Sequence, residues 1–315
     1  MLSRTADALF WLGRYTERAG NNARGLQGAL RMAGVTHAAG RTADEWRSLL
    51  VVTGCDAAFD AADLAPTADA VMRYLVAERD NPSAIVACIE AARHNARSVR
   101  TALTVDMWEA INETWAEARR MLPNALAPDA LPGFLDWVKS RTLLFNGAYA
   151  DTMLRDDAWR FVHLGTMLER ADNTARLLDV KHHLLLPPEE GQGGAVDYAQ
   201  WQAILRSVSA LRAYQWVYHA RLQPRLIAEL LILRPELPRS LLACYRRVEQ
   251  LLEDIAAANG GARSECHRIA GEMQARLRFG QIDAILDGGL DDFLTAFIDR
   301  SLDLGRAIQA FYMQA

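Results

Sequence analysis

Residues 12–24 read LGRYTERAGNNAR, and residues 164–176 read LGTMLERADNTAR. Eight of the thirteen positions are identical at an offset of 152. The echo runs outward from there. Trp46 answers Trp201 at an offset of 155, PSAIVAC at 82–88 answers PRSLLAC at 238–244 at 156, and Gly133 with Asp136-Trp137 answers Gly289 with Asp292-Phe293 at 156. Matches in one order at a nearly constant offset are the signature of a duplicated unit. They divide the chain into a first helical repeat, 1–154, and a second, 155–315, two copies expected to pack about a pseudo-twofold axis.

Each unit reads as helix. Ala, Leu, Arg and Glu recur at helical spacing, whereas strand-like alternation and Asn-Gly or Asp-Gly hairpin signals are scarce. Thr42 with Glu45 reads as a capping box, Asp106 with Glu109 as one with Asp as the cap, and Asn81 before Pro82 as a cap ahead of a first-turn proline. Breaks are expected at 34–41, 122–133, 187–197, 259–262 and 288–289. The fold class is all-α, a helical bundle.

Composition excludes several classes. Hydrophobic residues make up 51% and charged residues 23%, which suits a substantial core. A net charge of −4 without a Lys/Arg run gives no footprint for nucleic acid or anionic membrane. No apolar stretch is long enough to span a bilayer. Cys55, Cys88, Cys244 and Cys266 form no C-x-x-C, and the first turns carry Arg4 and Asp7 in place of a signal peptide. The cysteines therefore read as reduced core residues and the location as cytoplasmic.

At 100° per residue Gly13, Glu17, Asn21 and Arg24 share an arc of about 80°, backed by Leu12, Ala19, Ala23 and Leu26. Gly165, Glu169, Asn173 and Arg176 repeat the pattern over Leu164, Ala171, Ala175 and Leu177. A mid-helix glycine costs roughly 0.5–1 kcal/mol against alanine, so its presence in both stripes implies close approach of a backbone or ligand. Three readings stay open for the stripe. It is a solvated face, a network pairing Glu17 with Arg170 and Glu169 with Arg18, or a site where arginines grip a carboxylate or phosphate.

No metal or cofactor is implied. Di-iron bundles use Glu-x-x-His, but Gly20 and Asp172 stand three residues after Glu17 and Glu169, so a shared hard cation is the most these carboxylates offer. Arg93, Arg97 and Arg100, with Asn95 nearby, form a basic stripe that reads as solvated or as an anion or partner contact. His182-His183 diverge by about 100° and read as residues of a helix C-terminus, and His163 as packing. No nucleophile elbow, phosphate loop, dinucleotide fingerprint or zinc spacing is present, and no catalytic residue is assigned.

With these residues in place, the chain resembles the bacterial Alpha-E family over essentially its whole length. The resemblance rests on ALFWLGRYTERAGNNAR at 8–24, NPSAIVACIEAARHNARSVR at 81–100 and TMLRDDAWRFVHLGTMLERADNTARLLDVKHHLLLP at 152–187. It carries the family's Glu-Arg pair onto Glu17-Arg18 and Glu169-Arg170, and places Arg155, Trp159 and Phe161 in the same block without a role. The resemblance also implies company: circularly permuted ATP-grasp ligases and transglutaminase-like peptidases, in a system that makes or processes an amide-linked product. The functional expectation is a non-catalytic accessory partner of such a ligase. The alternatives are an enzyme with a Glu acid/base and Arg clamp, or a homo-oligomeric scaffold.

Overall fold

The computed structural model describes residues 3–37, 43–183 and 195–314. Its helices, in chain order, are α1 (Ser3–His37), α2 (Ala43–Val52), α3 (Asp56–Ala61), α4 (Ala68–Val76), α5 (Ile85–Ser98), α6 (Val105–Met121), α7 (Leu131–Thr152), α8 (Asp157–His183), α9 (Ala195–Ser207), α10 (Leu211–Tyr218), α11 (Pro224–Leu233), α12 (Leu241–Ala258), α13 (Glu265–Arg278), α14 (Ile282–Asp287) and α15 (Leu290–Ile308). No strand occurs among the described residues. The fold is all-α.

The two longest helices, α1 and α8, pack against each other at the centre. Around them α5 and α7 flank α1, while α12 and α15 flank α8. The glycines explain why the two can meet so closely. A Cβ on Gly13 would lie 2.2 Å from the Val162 carbonyl oxygen, and one on Gly165 would lie 2.0 Å from that of Phe10. The contact is reciprocal, since each glycine faces the carbonyl three residues before the other. Neither position admits a side chain without separating the helices.

One apolar cluster joins Leu9, Phe10 and Leu12 of α1 to Val162, Leu164 and Leu168 of α8 and onward to α12, α13 and α15. A second gathers Ala19, Ala23 and Leu26 with Leu50, Phe59, Leu75 and Phe134. The larger cluster crosses residue 154, so the core is not divided there. Helix α1 is consequently buried around nearly its whole circumference from Ala6 to Ala29, unlike an ordinary surface helix.

Two expected helix starts are corrected. The α6 cap is Thr104, in extended conformation, whose hydroxyl accepts the Met107 amide at 3.3 Å; Asp106 lies inside the first turn. Asn81 is committed elsewhere: its Nδ2 donates to the Tyr74 carbonyl at 2.9 Å and its Oδ1 accepts the Ser83 amide at 3.0 Å, and α5 begins only at Ile85. The break at 122–133 is shorter than expected, because Pro132 and Gly133 belong to the first turn of α7. Thr42, residues 38–41 of the break expected at 34–41 and residues 187–194 of that expected at 187–197 lie outside the described residues, as do the side chains of His182 and His183.

Candidate functional site

Four turns of α1 and α8 hold the charged centre. Glu17 is fully buried and Glu169 is 6% exposed, so the reading of this stripe as a solvated face is withdrawn. The groups pair across the two helices. Arg170 donates to Glu17 through Nε at 3.3 Å and Nη2 at 3.1 Å. Arg18 donates to Glu169 through Nε at 2.5 Å and Nη2 at 3.0 Å. Both are two-pronged contacts, the geometry a guanidinium makes best with a carboxylate.

Each carboxylate takes a second arginine that the stripe did not announce. Arg239, just before α12, reaches Glu17 Oε1 at 2.7 Å, and Arg14 Nε donates to Glu169 Oε2 at 2.7 Å. Arg239 stands at the position equivalent to Ser83, and Arg14 at that of Thr166, so comparison of the halves gave no signal for either. Arg14 does lie one turn from Arg18, and that spacing was the available clue. Ser83 keeps a lesser role, its hydroxyl accepting from Arg18 at 3.4 Å.

These contacts fix the protonation states. Burial pushes the Glu17 carboxyl up, but Arg170, Arg239 and Arg24 together overcome it and hold it well below the usual carboxylate range. Burial likewise opposes ionisation of Glu169, and Arg18 and Arg14 bring it down to about 2. Both are ionised throughout the physiological range. A carboxylate clamped by two guanidinium groups has no proton to give and little basicity, and repels no cation's rival from its place; neither general acid/base work nor a shared hard cation suits Glu17 and Glu169.

The remaining stripe residues differ between the halves. Asn21 Oδ1 accepts from Arg24 at 3.3 Å and from Arg239 at 3.2 Å. Arg24 is 6% exposed and forms no ion pair among the described residues; burial, then Arg239, lowers its guanidinium to about 10. Arg176 pairs with Asp172 on its own helix at 2.9 Å, and the half-buried Asn173 joins no part of the network. The secondary candidates lie elsewhere. Arg93 donates to Asn112 at 3.0 Å and stacks 3.8 Å from the Trp115 ring centroid, Asn95 is half-buried on α5, and Arg97 is exposed. Arg155 and Trp159 sit at the N-terminal end of α8, the guanidinium 5.7 Å from the ring centroid.

A helical protein whose two central helices cross at paired glycines and exchange Glu–Arg pairs is thus defined. Residues 1–313 match the family model described as "a predicted alpha-helical domain with a conserved ER motif", and the chain belongs to that family, Alpha-E. It is similar to the uncharacterized proteins Mb2597 of Mycobacterium bovis and Rv2567 of Mycobacterium tuberculosis, each 26% identical over 300 residues, 87% of this chain. The match takes up only 32% of each relative, so this chain spans about a third of their length. No solved structure matches it. No helix among the described residues is long and apolar enough to cross a membrane.

Proposed function

We propose that this chain is a non-catalytic helical partner of an ATP-grasp amide ligase, docking on it or presenting its substrate, in a system that also contains a transglutaminase-like peptidase. The observation that carries the reading is the double clamp on Glu17 and Glu169. It spends the characteristic Glu-Arg pairs on holding α1 to α8, and leaves the outer helices to meet a partner. Two further facts support it. In the mycobacterial relatives the matching stretch is one part of much longer chains, as suits a unit that works beside others. The free, buried cysteines fit a reducing cytoplasm.

The reciprocal glycine contacts and the crossed Glu–Arg pairs also support descent from a duplicated unit, with repeats 1–154 and 155–315 facing one centre. In this reading the network sets the geometry of the bundle more than its stability, since a buried ion pair repays little beyond its own desolvation. The test is co-purification and calorimetric titration with a circularly permuted ATP-grasp ligase of the same organism, followed by amide formation with and without this protein. A measurable complex with altered ligase turnover is the expected result. Absence of both a complex and any change in ligase turnover overturns the proposal.

A further inference from the structure

The N-terminal end of α8 carries a second arginine cluster that the central network does not use. Trp159 and His163 lie one turn apart on α8, their rings stacked at 4.8 Å and 16°. Tyr149 of α7 closes the group, its hydroxyl 2.8 Å from His163 Nδ1. Over the Trp159 ring stand two guanidinium groups: that of Arg247 from α12 at 5.1 Å and that of Arg155, in the turn before α8, at 5.7 Å.

Two features leave this cluster with interactions unmet. First, neither Arg155 nor Arg247, gathered over one ring, has an ion-pair partner among the described residues. Asp254 draws on Arg247 at longer range, while accepting a hydrogen bond from Gln250. Secondly, Trp159 is 6% exposed and its Nε1–H has no acceptor among the described residues, an uncommon state for a buried indole.

The charges that act on His163 are of one sign. His163 is driven down to about 3 by burial and then by Arg247, Arg170 and Arg155, so the ring is neutral and adds no charge. Like charges gathered this way repel one another and are relieved by an anion. The cluster is also absent from the other half. The positions equivalent to Trp159, His163 and Arg247 are Asp7, Trp11 and Ala91, so it is not part of the shared scaffold. Arg155 is exposed and Arg247 half-buried, which leaves the first open to solvent and the second partly so.

We propose that Arg155, Arg247 and Trp159 form a binding site for an oxyanion, the carboxylate or phosphate group of a small molecule. The two guanidinium groups supply charge-assisted hydrogen bonds, and the Trp159 ring, stacked on His163, holds both beside each other by cation–π contact. The site does not depend on the ligase reading, and it is measured on this protein alone.

The test is titration of the full chain with inorganic phosphate and, separately, with glutarate, followed by the His163 and Trp159 ring resonances and by calorimetry. At least one anion is expected to shift both rings saturably, and which one does so separates a phosphate from a carboxylate ligand. The single variants Arg155→Met and Arg247→Met should each weaken binding at least about tenfold, as loss of a charge-assisted hydrogen bond does. The double variant should abolish it with an unchanged melting temperature, because neither residue touches the Glu17 and Glu169 pairs. Failure of both anions to shift the rings, or equal binding by the folded double variant, overturns the proposal.

Discussion

Replacing Gly13 by alanine tests the crossing of α1 and α8 directly. The added Cβ lies 2.2 Å from the Val162 carbonyl oxygen and about 3 Å from Thr166, and both obstacles include backbone that cannot rotate away. Restoring an ordinary contact requires the helices to part by roughly 1 Å, which also stretches the Glu–Arg pairs one and two turns on. Overpacking of this kind costs about 1–3 kcal/mol, and loosening the buried ion pairs adds to it. Against this stands the alanine's helix preference of about 0.5–1 kcal/mol. The net expectation is a loss of up to about 2.5 kcal/mol from packing, and more as the ion pairs loosen, with Gly165→Ala, at 2.0 Å from Phe10, at least as severe. Gly147 in α7 and Gly271 in α13 provide the control, because nothing lies within 4 Å of a Cβ at either. The same substitution there should stabilise by about 0.5–1 kcal/mol. Chemical denaturation followed by circular dichroism reads all four. If Gly13→Ala and Gly165→Ala match the controls in sign, the close crossing is wrong.

Other expectations follow from the charged centre. Glu169→Gln leaves Arg14 and Arg18 without their counter-charge and should cost roughly 3–5 kcal/mol in the same denaturation assay. In the parent protein Glu169 falls from its ordinary 4.5 to about 2; its contribution is therefore complete above pH 4.5 and lost as pH falls toward 2, and the acid limb of a stability–pH curve should flatten in Glu169→Gln. Arg24 lacks a carboxylate of its own, so Arg24→Met should change stability by less than about 1 kcal/mol, whereas Arg170→Met should be several-fold more damaging. Burial pushes the Cys88 and Cys244 thiols up to about 12 and about 11, so a thiol reagent at pH 8 should leave both unlabelled in the native protein and label both in guanidinium.

What the sequence disclosed depended on whether a contact joins equivalent positions. Glu17 with Arg170 and Glu169 with Arg18 are one relation used twice, and so are the two glycine approaches; identity at a fixed offset therefore carries them. Arg239 and Arg14 escaped because each performs its task in one half only, where Ser83 and Thr166 stand in the other. Burial of the stripe escaped for a different reason: α1 is enclosed on its charged side as well, and periodicity cannot separate a solvated polar face from a paired one. The helix starts failed locally. Thr104 and Asp106 are both competent caps two residues apart, and Asn81 was claimed by the Tyr74 carbonyl.

The enclosure of α1 has a consequence during synthesis. Helix α8, against which α1 packs most extensively, begins 120 residues after His37. At about 5–20 residues per second, the nascent chain waits roughly 6–24 s with Leu9, Phe10 and Leu12 lacking their α8 partners Val162, Leu164 and Leu168. Over that interval Glu17 is an ordinary hydrated carboxylate, and α1 reaches its final surroundings only once α8 has been made.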